Sequence, residues 1–307
     1  MENRKKLGFI GYGNIGKLII NNILSLNLFD FKNIIVSNRN LNKLNLLIEK
    51  YPDITVTSDN KFLAMESDII FIFIGTEDVK NLLEEIKPYL NENTYLIHSV
   101  AALSFQMISK IYNGKVSQVI PSMASKSESD LEKLTYLKRL NDLDEILELN
   151  RKKHGVSLIS HNELVEEENK EFLEDLFSSF SDIKVLGREN LENERNMEVA
   201  TILSSCGPAL ISIFIKNLVK LSNSYCNLEK EELENILIKT VKSTATQLDE
   251  NNQTIDEIIR NTATKGGITQ VGLDYIQNNN FVIDTMLKEL FKTYDEKITI
   301  LNKQYGL

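Results

Sequence analysis

Residues 7 to 16 read Leu7-Gly8-Phe9-Ile10-Gly11-Tyr12-Gly13-Asn14-Ile15-Gly16. Leu7, Phe9 and Ile10 make the short apolar run of a buried first strand. Gly11, Gly13 and Gly16 follow at Gly-x-Gly-x-x-Gly spacing, and Ile15, Leu18, Ile19, Ile20, Ile23 and Leu24 then recur at helical intervals. A glycine triplet alone says little, but at a strand-to-helix junction each glycine has a separate task. Gly11 permits a tight turn, Gly13 admits a pyrophosphate to the backbone, and Gly16 lets the helix close on the strand. The helix N-terminus turns unpaired N–H groups and a positive dipole end toward the phosphates. The competing reading is a glycine-rich turn that holds no ligand.

The end of the second strand bears on which dinucleotide is held. Asn33-Ile34-Ile35-Val36 reads as that strand, and Ser37-Asn38-Arg39-Asn40 follows it. An NAD site places an acidic residue here for the ribose hydroxyls. This loop has none, and Arg39 can pair with a 2′-phosphate while Ser37 and Asn38 offer hydrogen bonds. The reading favours NADP(H) over NAD(H). Tyr12, Asn14 and Ile15 in the turn, with Ile74 and Gly75 beyond the central strand, complete the candidate cofactor contacts.

Strands and helices alternate through the first half. Asp68-Ile69-Ile70-Phe71-Ile72-Phe73-Ile74 is the uninterrupted apolar run of a central parallel strand buried on both faces. Further strands are expected at 54–56, 94–100, 116–120, 156–159 and 183–186, with helices at 41–50, 60–66, 78–90, 104–112 and 166–180. The pattern predicts a Rossmann-type α/β domain, a doubly wound parallel sheet with helices on both faces, over residues 1–188. The polar, charged stretch Ser125 to Lys153 interrupts it as a helical surface insertion. Beyond residue 189 only helices are expected, at 195–221, 229–249, 253–261 and 270–304, giving an all-α second domain over 189–307.

Composition narrows the function classes. A formal net charge of −9 argues against nucleic acid as a partner. The apolar stretches Ile69 to Ile74 and Leu210 to Leu221 read as too short or too interrupted to span a bilayer. Gly11 to Gly16 cuts the apolar region a signal peptide needs, so a cytoplasmic protein is expected. Two cysteines, Cys206 and Cys226, make neither a disulfide framework nor a metal site and are expected as buried packing.

Two segments of the second half carry chemistry. In Leu203-Ser204-Ser205-Cys206-Gly207-Pro208-Ala209 a proline falls inside a helical pattern, where it would kink or start a helix, and small residues would let a backbone or ligand approach. Thr264-Lys265-Gly266-Gly267-Ile268-Thr269 is a double-glycine turn between helices whose N–H groups can converge on a carboxylate, with charge added by Lys265.

The chain resembles the pyrroline-5-carboxylate reductase family over nearly its full length. The opening glycine turn, Ser67-Asp68-Ile69-Ile70-Phe71, Val119-Ile120-Pro121-Ser122 and the two segments just described are similar to that family's motifs in the same order. The resemblance implies NADPH-dependent reduction of a cyclic imine, 1-pyrroline-5-carboxylate, to proline. It implies that Thr269 bonds the pyrroline nitrogen, that the Thr264 side chain and the backbone of Gly266, Gly267, Ile268 and Thr269 hold the carboxylate with Lys265 beside them, and that the helical domain forms a homodimer or larger oligomer with the site between domains. Hydride transfer to such an imine needs positioning and a dry pocket more than a strong acid. Accordingly His98 is expected as a packed or hydrogen-bonded residue, and His154 and His161 as surface residues.

Departures point to alternatives within the same fold. Gly75-Thr76 stands where the family has Lys-Pro, Gln118 where it has Arg, Ser122 for Asn and Lys265 for Pro. Several of these resemble the late-competence ComER-like branch. A reductase of another imine or oxo acid, or a dinucleotide-binding regulatory protein, would carry such changes.

Overall fold

Leu7–Ile10 (β1) and Ile69–Ile72 (β4) lie side by side and parallel, and every one of their residues is buried. Alternate side chains enter different layers. Leu7, Phe9, Ile69 and Phe71 point to one face, where the Phe9 and Phe71 rings stack with centroids 4.8 Å apart. Ile10, Ile70 and Ile72 point to the other. Two apolar layers on one pair of strands require helices on both sides, and the chain supplies them. The structure, a computed structural model, describes residues 5–122, 155–187, 191–250 and 253–307. The insertion expected at 125–153 and His154 lie outside those residues.

Among the described residues the sheet has eight strands in the order β3-β2-β1-β4-β5-β6-β7-β8. The others are Ile34–Ser37 (β2), Thr55–Thr57 (β3), Tyr95–His98 (β5), Lys115–Ile120 (β6), Val156–His161 (β7) and Asp182–Val185 (β8). On one face lie Asn14–Leu26 (α1) and, after α2 (Asn45–Lys50), α3 (Asn60–Glu66), α4 (Val79–Ile86) and α5 (Phe105–Ser109), α6 (Glu167–Ser178), whose Phe172, Leu173 and Phe177 share the layer of Phe9. Leu63, Leu83 and Met107 from α3, α4 and α5 fill the layer of Ile70. The 41–50 helix divides into a 3-10 turn over Leu41–Leu44 and α2, and the 78–90 helix ends early because Pro88 sits in a 3-10 turn, Lys87–Tyr89.

The sheet is not wholly parallel. β6 and β7 pair antiparallel, with Ile120 opposite Leu158 and Ser117 opposite His161. The chain therefore re-enters at the end of the sheet where β6 leaves it, so no crossover to the far end is required. β8 then runs parallel to β7 through α6.

Beyond the sheet, Leu191–Thr201 (α7) runs into a π turn, Ile202–Cys206, and on into Gly207–Ser222 (α8). Pro208, expected to kink or start a helix, lies in the first turn after this widened ring. Widening frees carbonyls that an uninterrupted α-helix would use, and the Ser204 carbonyl accepts from the Ser122 hydroxyl at 3.3 Å. Because the helix does not stop, Arg195–Tyr225 is long and apolar enough, by length and composition, to cross a membrane. Counting Leu210 to Leu221 alone missed this. Lys230–Asp249 (α9), Ile255–Thr262 (α10), Ile268–Asn278 (α11) and Phe281–Tyr305 (α12) complete the chain.

Two compact units result, residues 1–206 with 294–307, and residues 207–293. The first takes α7, where Met197 packs with Ile120 and Leu158, and the end of α12, where Leu301 and Tyr305 join the layer of α4. In the second, Gly207 and Val219 alone are buried among the described residues. Phe214, Val271, Tyr275 and Phe281 are each more than 60% exposed. Cys226, expected inside, is exposed, and Cys206 is half-buried.

His161, expected at the surface, has a side chain only 6% exposed, held in a directed hydrogen-bond chain. The Tyr95 hydroxyl donates to Ser117 Oγ at 2.6 Å, Ser117 lies 2.6 Å from His161 Nδ1, and His161 Nε2 lies 3.2 Å from Glu174. With the imidazole neutral every donor points toward the carboxylate. A proton on Nδ1 would take away the acceptor of the Ser117 hydroxyl, which would have to turn elsewhere. Burial holds the imidazole below its ordinary range, against the pull of Glu174, and burial raises the Tyr95 phenol. The unfolded chain therefore takes up a proton at His161 before the folded one does. Stability is full above the ordinary histidine value of about 6.5 and falls as the pH drops through it. The melting temperature should fall between pH 7 and pH 5, and His161→Gln should make that fall shallower; equal slopes in wild type and variant would contradict the assignment.

Candidate functional site

The β1–α1 turn sets the geometry. Gly11 has φ +102°, its N–H donates to the Ser37 carbonyl at 2.9 Å, and a Cβ there would lie 2.4 Å from the Phe73 carbonyl oxygen. A Cβ on Gly16 would lie 2.2 Å from the Gly11 carbonyl oxygen. Neither position accepts a side chain, because helix and strand already touch. Gly13 differs: a Cβ there would meet nothing within 4 Å. It opens α1 in extended conformation with no side-chain cap, so the first-turn N–H groups are left for an anion.

Two hollows flank this turn beyond the ends of β1, β2, β4 and β5, where the strand order reverses on either side of β1 and β4. The first, about 370 Å³, is bounded by Gly11, Tyr12 and Gly13, by Ser37, Asn38 and Arg39, and by Ile74 and Gly75. The second, about 500 Å³, is bounded by Gly13, Asn14 and Ile15, by Ile74 and Gly75, and by Ser99 to Ala101. All of the sequence-derived cofactor positions border one or both hollows except Gly16, which lies beneath the turn. Together these features suit an extended dinucleotide with its pyrophosphate over Gly13.

The polar groups after β2 are more committed than the sequence suggested. The Ser37 hydroxyl is buried and donates to Asn60 Oδ1 at 2.6 Å. Asn38 Oδ1 accepts the Tyr12 N–H at 3.2 Å, and its Nδ2 donates to the Asn40 carbonyl at 2.7 Å. Both residues thus shape the wall, and Arg39 is left as the group able to turn to a ligand. Its side chain is 88% exposed, and its guanidinium donates to Asp78 at 3.1 Å. Lys43, Asn60, Asp78, Asn81 and Glu85 also border the first hollow, and sequence reasoning missed all five. They come from α3, from α4 with its leading turn and from the turn before α2, and no short-range spacing links them to the glycine turn.

The far hollow is held from β5 and β6. Gln118 is fully buried, and its Nε2 donates to the carbonyls of Val100 at 2.7 Å and Ala101 at 3.1 Å. His98 is buried, and its Nδ1 accepts the Val100 N–H at 3.3 Å, the hydrogen-bonded role expected for it. The 264–269 turn belongs to the helical unit. Gly266 has φ +74°, and the Gly267 N–H donates to the Thr264 carbonyl at 2.8 Å. Gly267 caps α11 in extended conformation with no side-chain cap. A Cβ on Gly267 would lie 2.4 Å from Thr264 Oγ1, so hydroxyl and helix start are in direct apposition. Ile268 and Thr269 open α11, both exposed, with Lys265 beside them.

The contrast between the glycines is testable. Gly13→Val should weaken binding of NADPH or NADH at least ~30-fold, by filling the space over the turn, while lowering the melting temperature by only about 2–4 °C for a cost near 1 kcal/mol. Gly16→Val should abolish folding. Unchanged dinucleotide affinity in a folded Gly13→Val protein would remove the turn from the site.

Residues 6–102 match the family described as NADP oxidoreductase, coenzyme F420-dependent, and residues 194–296 the family described as pyrroline-5-carboxylate reductase dimerisation. A pyrroline-5-carboxylate reductase of Methanobrevibacter smithii is 37% identical over 270 residues, 88% of this chain and 96% of the relative. ComE operon protein 4 of Bacillus subtilis is 25% identical over 98% of this chain and 99% of its own length. A crystal structure of Plasmodium falciparum pyrroline carboxylate reductase with NADP bound shares the fold, with a TM-score of 0.74 at 22% identity over 97% of this chain and 98% of that one. Glycine turn, strand order and helical unit thus agree with the likeness in sequence, and the chain belongs to the pyrroline-5-carboxylate reductase family.

Proposed function

We propose that the protein reduces 1-pyrroline-5-carboxylate to proline with NADPH. The observation that carries this reading is the 37% identity to the Methanobrevibacter smithii reductase, which spans both the sheet unit and the helical unit. The glycine turn and its two hollows support the cofactor half. NADPH, when bound, supplies the hydride. Gly13 and the first turn of α1 hold the pyrophosphate, Arg39 and Lys43 provide cations for a 2′-phosphate, and Ile74, Gly75 and the Val100–Ala101 backbone flank the nicotinamide end.

The substrate half rests on the 264–269 turn. Its N–H groups at Ile268 and Thr269, the Thr264 hydroxyl and the Lys265 ammonium suit a carboxylate, since a helix start attracts anions. Thr269 holds the ring nitrogen through its hydroxyl. No side chain need carry a proton through the reaction for this to work. Orientation and exclusion of water supply most of the rate. The helical unit pairs with a second copy, covering the apolar side chains it leaves exposed. We place the protein in the cytoplasm, a reading that its two unpaired cysteines support.

A second reading retains the dinucleotide site and changes the substrate or the role. The likeness to ComE operon protein 4 over nearly the whole chain favours it, as do Gln118, Ser122 and Lys265. NADPH consumption with pyrroline-5-carboxylate separates the two. Thr269→Ala should lower kcat/KM by ~10-fold or more with NADPH affinity unchanged, as expected for a group that acts only on substrate. Tight NADPH binding without turnover of this imine would favour the second reading.

A further inference from the structure

The loop after β2 carries no carboxylate, yet the hollow it borders has two. Asp78, in the turn ahead of α4, and Glu85, two turns further along, border that hollow together with Arg39 and Lys43. Arg39 donates across the mouth to Asp78 Oδ2 at 3.1 Å, with their side chains 88% and 45% exposed. Two cations and two anions thus share one hollow, and one cation is already engaged. A 2′-phosphate brings a charge of about −1.5 to −2. It gains the full attraction of Arg39 only by drawing the guanidinium from Asp78, and it meets the freed carboxylate as a like charge. A dinucleotide with a 2′-hydroxyl makes neither demand and leaves the pair closed.

We propose that Asp78 is a cofactor-selecting residue: by holding Arg39 it restrains the preference for 2′-phosphorylated dinucleotides and keeps NADH within reach of the site. This rests on the nucleotide-site reading above. Exposed ion pairs shift equilibria by up to about 5-fold. That is weak enough for a phosphate to displace and large enough to decide between two cofactors of similar affinity. Asp78 makes no capping bond to α4, so its carboxylate can be neutralised without loss of a helix cap.

The test is titration calorimetry with NADPH and NADH on wild type, Asp78→Asn, Arg39→Ala and the double variant. Asp78→Asn should tighten NADPH about 3- to 5-fold and leave NADH within ~2-fold. Arg39→Ala should weaken NADPH, and on that background Asp78→Asn should have less effect, because the competition for the guanidinium is gone. Adenosine 2′,5′-bisphosphate against AMP should repeat the pattern without the nicotinamide half. Equal changes for both dinucleotides, or an Asp78→Asn effect undiminished without Arg39, would overturn the proposal while leaving the site reading intact. Wild-type protein that binds neither dinucleotide would overturn the site reading and this proposal with it.

Discussion

Helix α1 starts where it does because there is no atom to spare at Gly16. A Cβ at that position would sit 2.2 Å from the Gly11 carbonyl oxygen, so the helix axis is pinned against the end of β1. Gly11 in turn is wedged below the Phe73 carbonyl and tied by its N–H to Ser37. Three strand ends, β1, β2 and β4, therefore meet in one turn. The space over Gly13 is the residue of that crowding: it remains open because everything beneath it is filled. Binding capacity here follows from packing more than from any special polar group.

Helix α4 extends the constraint. Asp78, Asn81, Leu82 and Glu85 face the first hollow. Other positions of the same short helix face the chain's last turns: Lys80 Nζ donates to the Gln304 carbonyl at 2.7 Å and lies 5.8 Å from the Tyr305 ring centroid. Arg195, paired with Glu198 at 2.5 Å and Asp295 at 3.3 Å, fastens α7 to the same end of α12. Residues 294–307 thus fold with the sheet although a long helical excursion separates them in sequence. A boundary drawn at residue 188 by the change from alternating to helical pattern misses this, since periodicity reports local structure and says nothing about which core a helix joins.

What was legible has a common cause. The glycine turn, β4 and the strand–helix alternation all arise from local rules: fixed spacing, an apolar run buried on both faces, and side chains that alternate between layers. What escaped depends on contacts distant in sequence. Strand direction leaves no mark on a period of two, so β7 read the same whichever way it ran. His161 looked polar and peripheral, yet Ser117 and Glu174 satisfy both of its ring nitrogens, which is what permits its burial. Asp78 was invisible as a cofactor-site group because its importance comes from Arg39, 39 residues earlier.

The helical unit follows a different logic from the sheet unit. With Gly207 and Val219 as its buried residues among those described, it has little core of its own. A 31-residue apolar helix, read alone, passes for a membrane span. Its neighbours argue for another use of the same property. Large exposed apolar side chains occur also on α9, α11 and α12, at Ile236, Val271 and Ile283 among others. Interspersed with these are lysines and glutamates, which a bilayer interior would penalise. Apolar surface spread over four helices with charge between suits a large, self-complementary protein interface. The family matched over residues 194–296 is described by its dimerisation, and a second copy laid on this surface would stabilise the unit by mass action.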